Sequence, residues 1–243
     1  MNLIIDIGNS RVKLAIFKQR SMLFFNQISV VDLERSITET LANYPKIEQI
    51  LLASVINLQR EKFKALFGRY NPIFLDHKLK FPFVNLYKTP TTLGVDRLAL
   101  ASAAVCKYPD QNVVVIDLGS CLTYDFIDSK RNFHGGGISP GLQMRYRALN
   151  EYTDRLPLLD AEIPFSIIGN TTESAIHSGV VFGIINEIEG IVASYDNKYS
   201  NLIVILTGGD SNFLLKQLKI SIFANSNFLL EGLNFLLEFN SNK

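Results

Sequence analysis

Two stretches of this chain combine an aspartate, a glycine and small polar side chains in a spacing that suits phosphate binding. They are NLIIDIGNSRVK at residues 2–13 and NVVVIDLGSCLTYD at residues 112–125. In both, an apolar run ends in Asp-hydrophobic-Gly-polar, and a second apolar segment follows a short turn. Gly8 and Gly119 would let a phosphate approach the main chain without a Cβ in the way. Each stretch therefore predicts a strand, a tight turn and a returning strand.

The polar side chains of the two turns extend this prediction. Asn9, Ser10 and Ser120 can donate hydrogen bonds beside the backbone N–H groups, and together these cradle phosphate oxygens. Asp6 and Asp117 end their strands, where a carboxylate can hold a cation or its water shell. An ordinary hairpin turn would explain either copy alone. The repetition of the pattern at the start of each half of the chain indicates a duplicated phosphate-binding unit.

A third candidate segment is YKTPTTLGVDR at residues 87–97, which leads into a predicted helix at residues 98–105. Asp96 near the helix N-terminus is favoured as a carboxylate, which suits a hydrogen-bond acceptor or general base. Arg97 offers a planar fork for a carboxylate or a phosphate. A helix cap and a surface ion pair would explain the same two residues.

Apolar patterns around these segments predict the elements that position them. In the first half, buried β-branched runs and alternating segments predict strands, and apolar residues at helical spacing predict two helices, the first with Asp32 as its N-cap. The strands are expected up to Asp6 and at 12–17, 22–28, 50–55 and 72–75, and the helices at 33–41 and 58–67. This order is typical of a mixed sheet with helices packed against it.

The second half repeats the layout. We expect strands at 113–117, 122–127, 131–138 and 202–206, and helices at 142–149, 172–195, 211–218 and 227–239. Gly208-Gly209-Asp210 directly follows the late strand, where a loop could meet a nucleotide. The boundary between the halves is predicted at Tyr108-Pro109-Asp110.

Composition limits the classes of function. The 243 residues carry a formal net charge of +1, with 47% hydrophobic and 19% charged residues. This composition indicates a folded globular protein, and the net charge is too small to attract nucleic acid or an anionic membrane through the overall electrostatic field. The sequence shows no signal peptide and no apolar run near the length of a membrane span. Two cysteines cannot form a disulfide framework, and three dispersed histidines disfavour a structural zinc site, so we expect a cytoplasmic protein.

Five segments together resemble type III pantothenate kinases, a family of the actin-like, sugar-kinase-like ATPase superfamily. The first and third are the DIGNSRVK and DLGSCLTYD turns, which by themselves indicate only the superfamily. YKTPTTLGVDR and GGGISPG at residues 135–141 are more discriminating, and GNTTESAIHSG at residues 169–179 completes the series. Ser10 and Ser120 stand where the family usually has threonine, which keeps the hydroxyl. Cys121 replaces a common alanine.

This resemblance implies a fold and a reaction. The fold would be α/β, with two related actin-like (ribonuclease H-like) lobes at residues 1–109 and 110–243, each a mixed five-stranded sheet with helices. The active site would lie in the cleft between them. The reaction would transfer the ATP γ-phosphate to pantothenate and give 4′-phosphopantothenate, the first committed step towards coenzyme A.

The resemblance also implies roles for individual residues. Asp96 would be the catalytic base, and Asp117 would bind a monovalent cation, K⁺ or NH₄⁺. ATP would contact Asp6, Ile7, Gly8, Asn9, Ser10, Arg11, Val12, Lys13 and Ser120. Pantothenate would contact Tyr87, Gly94, Val95, Asp96, Arg97 and Thr172.

Cofactors and partners follow from the same resemblance. Family members need Mg²⁺ with ATP and are usually homodimers in which the second subunit helps to complete the substrate pocket. Two alternatives stay open at this point. Another kinase of the superfamily would act on a sugar or a small acid, and a non-catalytic regulator would bind the nucleotide without turnover.

Overall fold

The structure, a computed structural model, describes residues 1–8, 11–54, 63–64 and 66–241. Two compact units make up the chain. Unit 1 contains Met1–Pro109, Arg131–Phe133 and the segment from Asn227 onward, and unit 2 contains Asp110–Lys130 and His134–Ser226.

Unit 1 begins with a run of strands, as predicted. Its first strand is buried along its whole length, because Leu3, Ile4, Ile5 and Ile7 are completely enclosed. The elements are β1 (Asn2–Ile7), β2 (Val12–Lys18), β3 (Ser21–Ile28), α1 (Leu33–Asn43), β4 (Gln49–Ser54), β5 (Ile73–Phe74), β6 (Val84–Asn85) and α2 (Val95–Lys107), with 3₁₀ turns at Val30–Asp32 and Pro90–Thr92.

The remaining elements begin with the second copy of the repeat. They are β7 (Asn112–Leu118), β8 (Cys121–Ile127), β9 (Asn132–Pro140), α3 (Leu142–Glu151), α4 (Thr172–Asp196), β10 (Leu202–Thr207), α5 (Ser211–Leu215), β11 (Phe223–Ala224) and α6 (Phe228–Ser241).

The sheets carry the duplication that the sequence predicts. The first has the order β3-β2-β1-β4-β5, and the second has the order β11-β10-β7-β8-β9-β6. Read from the opposite edge, the second sheet repeats the first and adds β6 beyond β9. The pairing directions agree too, since β1 is antiparallel to β2 and parallel to β4, while β7 is antiparallel to β8 and parallel to β10. The second sheet therefore has six strands where five were predicted.

Each unit has its own apolar core. The core of unit 1 joins alternate residues of β1 and β2 to the buried stripe of α1, and it includes Leu3, Ile5, Leu14 and Ile37. That of unit 2 joins one face of β7, β8 and β10 to α4. In both units, burying the apolar face of a sheet against a helix supplies the main driving force for folding.

The C-terminal helix packs in unit 1, although the predicted boundary assigned it to the second lobe. A Cβ at Gly232 of α6 would overlap the carbonyl oxygen of Ala99 in α2. Asn2 of β1 donates its side-chain amide to Asn234 Oδ1 over 2.8 Å, and Asn234 in turn donates to the carbonyl of Gln19. This contact between the two ends of the chain places residues from Asn227 onward with unit 1.

Helix α4 spans 25 residues and has the length and composition of a membrane-crossing helix. The sequence interpretation that no apolar run approaches that length is therefore wrong. Eight residues of α4 are buried within the protein, Ile184 and Ile188 among them. Core helices of folded proteins commonly have this length and composition, so α4 is only a weak indication of a membrane span.

Three local predictions differ from the structure. Asp32 precedes α1 but makes no capping bond, because its carboxylate accepts from the Ser29 hydroxyl and Arg35 instead. Helix α5 ends at Leu215, three residues before its predicted end. Strands β6 and β11 were not predicted, because each has only two residues and so cannot show an alternation of apolar and polar side chains. Of the helix predicted at 58–67, residues 58–62 and 65 lie outside the described residues, while Phe63, Lys64 and Leu66 are helical.

Candidate active site

Asp6 lies at the end of β1 and is only 8% exposed. The strand register pairs it with Lys13 of β2. Burial raises the pKa of Asp6 to about 6, while the positive charge of Lys13 lowers it and the negative charge of Asp96 raises it further. Two residues that the sequence analysis assigned to the active site, Lys13 and Asp96, therefore act on the buried carboxyl group of a third, Asp6.

The turn after β1 is closed by a hydrogen bond from the Gly8 N–H to the Arg11 carbonyl over 3.0 Å. Ile7 and Val12, on either side, are completely buried, so only their backbone groups can serve a ligand. The Arg11 side chain is exposed. Asn9 and Ser10, both predicted to bind phosphate, lie outside the described residues. The position of the turn at the end of a buried strand agrees with the prediction, and its phosphate-binding role stays a prediction.

The segment before α2 brings together the predicted pantothenate contacts of unit 1. Gly94 is the N-cap residue, Val95 begins the helix, and Asp96 accepts a hydrogen bond from the Arg97 N–H over 2.8 Å. Arg97 is 5% exposed, and its guanidinium carbon lies 5.6 Å from the centre of the Tyr87 ring. Arg97 is therefore a buried residue and does not lie on the surface of the protein. Stacking on an aromatic ring holds a guanidinium in a defined orientation.

The second turn joins β7 to β8 through two residues. Gly119 donates its N–H to the Cys121 carbonyl over 3.1 Å, and the Ser120 side chain is exposed. Gly141 packs directly on this turn, because a Cβ there would lie 2.7 Å from the Gly119 carbonyl oxygen and closer still to that of Ser120. The GGGISPG segment therefore ends against the turn predicted to bind the nucleotide.

Asp117 is flanked by the loop that follows β10. Gly208 has a φ of +99°, and a Cβ at this position would lie 2.5 Å from Asp117 Oδ1 and would overlap the Leu118 carbonyl. The Asp210 N–H donates to that carbonyl over 3.0 Å. Only glycine is compatible with both the positive φ and this close approach. The loop at residues 208–210 thus meets the second turn, and its contact with a nucleotide stays a prediction.

A network that the sequence analysis missed holds the GGGISPG segment in place. Arg145 of α3 donates through Nε to the Pro140 carbonyl over 2.9 Å and through Nη2 to Ser139 Oγ over 3.1 Å. The same guanidinium makes a short ion pair with Glu187 of α4. Tyr124 of β8 donates its hydroxyl to Glu187 over 3.1 Å. No local pattern could have revealed a pair formed by residues on different helices.

The ionisation of this network follows from its contacts. Burial alone would raise the pKa of Glu187, but hydrogen bonds from Arg145 and Ser139 outweigh it, and the pKa is lowered. Burial, and then the charge of Glu187, raise the pKa of Tyr124. Glu187 is therefore a carboxylate at neutral pH, and Tyr124 is a neutral donor.

Thr172, the predicted pantothenate contact of unit 2, is the exposed first residue of α4. The preceding Thr171 is the N-cap, and it forms a capping box with Ser174 in which each side chain accepts from the other's backbone N–H. This reciprocal cap fixes the start of the helix and hence the position of Thr172.

The candidate site offers few side chains that could bind a metal ion. Within the part of the chain that the structure describes, no group of three or more His, Cys, Asp or Glu side chains could hold a metal ion. A cation there would rely on single carboxylates together with hydroxyl, backbone or ligand oxygens. Hard cations accept such oxygen ligands.

Comparison with known proteins decides the family. A model of the type III pantothenate kinase family matches residues 2–194. This chain belongs to that family. A Flavobacterium johnsoniae protein named type III pantothenate kinase is 48% identical over 234 residues, which cover 96% of each chain. A Bacteroides fragilis protein of the same name is 42% identical over 246 residues and the full length of both chains.

Solved structures confirm the predicted actin-like fold. A Campylobacter jejuni protein described as a candidate Baf family transcriptional activator has a TM-score of 0.65 at 23% identity, with 99% of this chain and 100% of that chain covered. A Listeria monocytogenes protein described as a candidate N-acetylmannosamine kinase has a TM-score of 0.58 at 10% identity, with 99% of both chains covered. At these identities the likeness concerns the fold alone.

Family membership confirms the predicted function and enzyme class. The chain is a pantothenate kinase, and it phosphorylates pantothenate in the biosynthesis of coenzyme A. As a kinase it uses ATP with a divalent metal ion.

Proposed function

We propose that the two turns share the binding of ATP and that Asp96 activates pantothenate. In this assignment the nucleotide phosphates contact the residues 6–13 and Ser120. Pantothenate contacts Tyr87, the Gly94–Arg97 segment and Thr172, and Asp96 accepts the proton of its primary hydroxyl. That oxygen then attacks the γ-phosphorus, the bond from phosphorus to the β-γ bridging oxygen breaks, and ADP leaves with the electron pair.

The environment of Asp6 is the observation that carries this proposal. A carboxyl group that is 8% exposed and has a pKa of about 6 is costly to ionise unless a cation or a cationic ligand complex compensates it. Phosphoryl transfer depends on positioning and charge neutralisation more than on covalent catalysis. Asp6 with Lys13 at the strand end, and Asp96 within electrostatic range, supply groups of both signs for that purpose.

The contacts of Arg97 and Asp96 suit the two ends of pantothenate. Arg97 is held against the Tyr87 ring, and its planar fork matches the substrate carboxylate. Asp96 lies in the first turn of α2, where its carboxylate would accept the proton of the substrate hydroxyl. Two neighbouring residues would thus bind opposite ends of one substrate.

Cations complete the assignment. Mg²⁺ would accompany the ATP phosphates and neutralise their charge, and Asp117 would hold a monovalent cation, K⁺ or NH₄⁺. The residues present fit such an ion, because Asp117 supplies a partly buried carboxylate beside the Gly208 backbone, and Thr123, which has a buried hydroxyl oxygen, is its cross-strand neighbour in the sheet.

Substitution of Asp96 tests the assignment of the base. We expect Asp96→Asn to lower kcat by a factor of about 10² to 10⁴, the usual contribution of a general base. ATP affinity, measured by calorimetry, should stay within about twofold, because the phosphate turns are intact. Asp154→Asn, at an exposed position, is the matched control and should retain full activity. Turnover of Asp96→Asn at the wild-type rate would contradict the assignment.

A panel of acceptors distinguishes the two alternatives raised by the sequence. The assay contains labelled ATP, Mg²⁺ and K⁺ with pantothenate, hexoses or small hydroxy acids. Transfer to pantothenate alone supports the assignment of the Tyr87–Arg97 segment to this substrate. Preferred transfer to a sugar would favour another kinase, and nucleotide binding without turnover would favour a regulator.

We also infer a cytoplasmic homodimer with no nucleic-acid or membrane partner. The net charge of +1 supports the lack of a polyanionic partner. Support for the dimer comes from apolar side chains on the surface of unit 2, where Phe165, Ile167 and Ile168 are each at least 68% exposed. A contiguous exposed apolar surface commonly marks an interface. Sedimentation equilibrium measures the oligomeric state directly.

A further inference from the structure

Thr123 of β8 has a buried hydroxyl group whose hydrogen bonds are not satisfied. Among the described residues, its Oγ1 is the one buried side-chain oxygen or nitrogen atom without a hydrogen-bond partner. A hydroxyl can donate one hydrogen bond and can accept through two lone pairs. Burying it without a partner costs stability, so an orphaned hydroxyl in a native protein requires an explanation.

The sheet register places Thr123 beside Asp117. The two residues are direct cross-strand partners in the antiparallel pair of β7 and β8. On the other side, Thr207 of β10 is the parallel partner of Asp117. Residues in register across neighbouring strands project from the same face of a sheet. Asp117, Thr123 and Thr207 therefore form a row of oxygen-bearing side chains across three strands.

This row lies on the face opposite the apolar core of unit 2. Ile116, Leu118, Leu122, Tyr124 and Leu206, the chain neighbours of the three polar residues, all belong to that core. Because side chains alternate along a strand, the polar row must point to the other face. Thr207 is 2% exposed there and the Thr123 hydroxyl oxygen is buried, while Asp117 is partly exposed.

The backbone at Gly208 lies next to the Asp117 end of this polar row. Gly208 lies so near Asp117 Oδ1 that no side chain fits between them. Carboxylate, hydroxyl and carbonyl oxygens are the ligands that hard cations take in proteins. An orphaned hydroxyl next to such a carboxylate has the chemistry of an additional ligand.

We propose that Thr123 is a second protein ligand of the monovalent cation, its hydroxyl oxygen acting together with the Asp117 carboxylate. The inference rests on the assignment of this cation to Asp117 under the proposed function, and it adds a ligand that the family resemblance did not supply. It also explains why a hydroxyl without a hydrogen-bond partner stands in a strand whose other buried residues are mainly apolar. Binding of the ion satisfies its lone pair.

The test measures K⁺ binding through thermal unfolding of the full chain. Melting temperatures are recorded in KCl and in NaCl at constant ionic strength, with Mg·ATP present. A ligand that binds only the folded state raises the melting temperature in proportion to its occupancy. We expect wild type to be stabilised by K⁺ over Na⁺, with a midpoint that gives the apparent Kd for K⁺.

Thr123→Val replaces the hydroxyl with a methyl group of nearly the same shape. In NaCl this variant should melt at or above the wild-type temperature, because a buried unsatisfied group is gone. Its apparent Kd for K⁺ should rise by about tenfold or more, the scale on which loss of a supporting group weakens a metal site. Thr123→Ser keeps the oxygen and should restore the K⁺ response.

Two further variants complete the design. Thr40→Val removes the hydroxyl of a buried threonine in α1, and its K⁺ response should equal that of wild type. Asp117→Asn tests the cation assignment itself and should lose the response. If Thr123→Val does not fold, Thr123→Ala replaces it in the same comparison.

The outcomes separate the inference from the proposal on which it rests. Loss of the K⁺ response in Thr123→Val and its return in Thr123→Ser support the second ligand. A wild-type K⁺ response in Thr123→Val, with a lost response in Asp117→Asn, overturns the role of Thr123 and leaves the cation at Asp117. A wild-type protein that melts equally in K⁺ and Na⁺ overturns both.

Discussion

At the scale of single residues, the pKa of Asp6 links stability to function. Its rise from 3.8 to about 6 means that the folded protein holds this proton more tightly than the unfolded chain does. The stability from this group is therefore complete below about pH 3.8 and is lost as the pH rises through about 6. The difference corresponds to about 3 kcal/mol. At neutral pH the Asp6 carboxyl group is therefore ionised although it is buried, and binding of a cationic ligand would offset the cost of that buried charge.

Replacing Asp6 with asparagine should remove this pH dependence. Asp6→Asn cannot ionise, so at pH 8 and without nucleotide we expect its free energy of unfolding to exceed that of wild type by up to about 3 kcal/mol. Kinase activity should fall sharply, because the carboxylate is lost. Urea unfolding between pH 5 and pH 8 measures the effect. Parallel pH profiles for the two proteins would show that Asp6 is not the group responsible.

At the scale of elements, α3 and α4 position the end of β9. Arg145 binds Ser139 and Pro140, and Glu187 of α4 orients its guanidinium. Gly141 then packs against the Gly119–Ser120 turn. The position of the predicted nucleotide turn thus depends on a pair of side chains that need not touch the nucleotide.

Breaking the ion pair between Arg145 and Glu187 should weaken ATP binding more than it slows the chemical step. For Arg145→Met we expect the KM for ATP to rise about tenfold, which equals about 1.4 kcal/mol of lost positioning. The kcat should change less than about threefold, because Asp96 is untouched. Initial-rate kinetics with each substrate varied in turn measure the two constants.

Matched variants show whether the effect belongs to the Arg145–Glu187 pair. Arg147→Met changes an exposed arginine of the same helix and should leave both constants unchanged. Glu187→Gln should raise the KM for ATP less than Arg145→Met does, and the double variant should not add the two effects, since the residues act together. Fully additive effects would argue against a coupled pair.

At the scale of the whole molecule, the chain duplicates one sheet and then returns to its beginning. The order β3-β2-β1-β4-β5 recurs as β9-β8-β7-β10-β11, which gives each unit a central strand that ends in an aspartate and a glycine turn. The last helix completes the unit that contains the first strand. Unit 1 is therefore finished only when Asn2 and Asn234, which are 232 positions apart, have come together.

The packing of α6 on α2 can be tested at its closest point. Gly232→Ala would place a methyl group on the Ala99 carbonyl, and overpacking of this kind costs about 1–3 kcal/mol. Gly190→Ala in α4 has open space around its Cβ and should stabilise the helix by about 1 kcal/mol. Urea unfolding of both variants against wild type measures the difference. Equal stabilities would show that the helices can separate at no cost.

Much of the fold could be predicted because its signals are local. Buried β-branched runs marked β1 and β7, and apolar residues at helical spacing marked α1 and α4 to within a few residues. The two-residue strands β6 and β11 were missed, since they exist only through pairing with distant strands. For the same reason the packing of α6 beside β1 and α2 could not be predicted, although its limits were predicted to within two residues.

The candidate site divides in a similar way. Asp6, Asp96 and Asp117 could be chosen from the sequence because each stands two residues from a glycine in a recognisable turn or helix start. The sequence did not indicate Arg145, Glu187 or Thr123. Whether a side chain finds a hydrogen-bonding partner is decided only when separate elements pack together.

By itself the sequence determined the family, the two glycine turns that are predicted to bind phosphate and the residue types available for phosphoryl transfer, because these depend on neighbours along the chain. The tertiary structure decided which carboxyl group is costly to ionise, which hydroxyl is left without a partner and which unit receives the C-terminal helix. Those properties come from burial and from contacts between distant segments. Desolvation and close packing act between groups that the chain order leaves far apart.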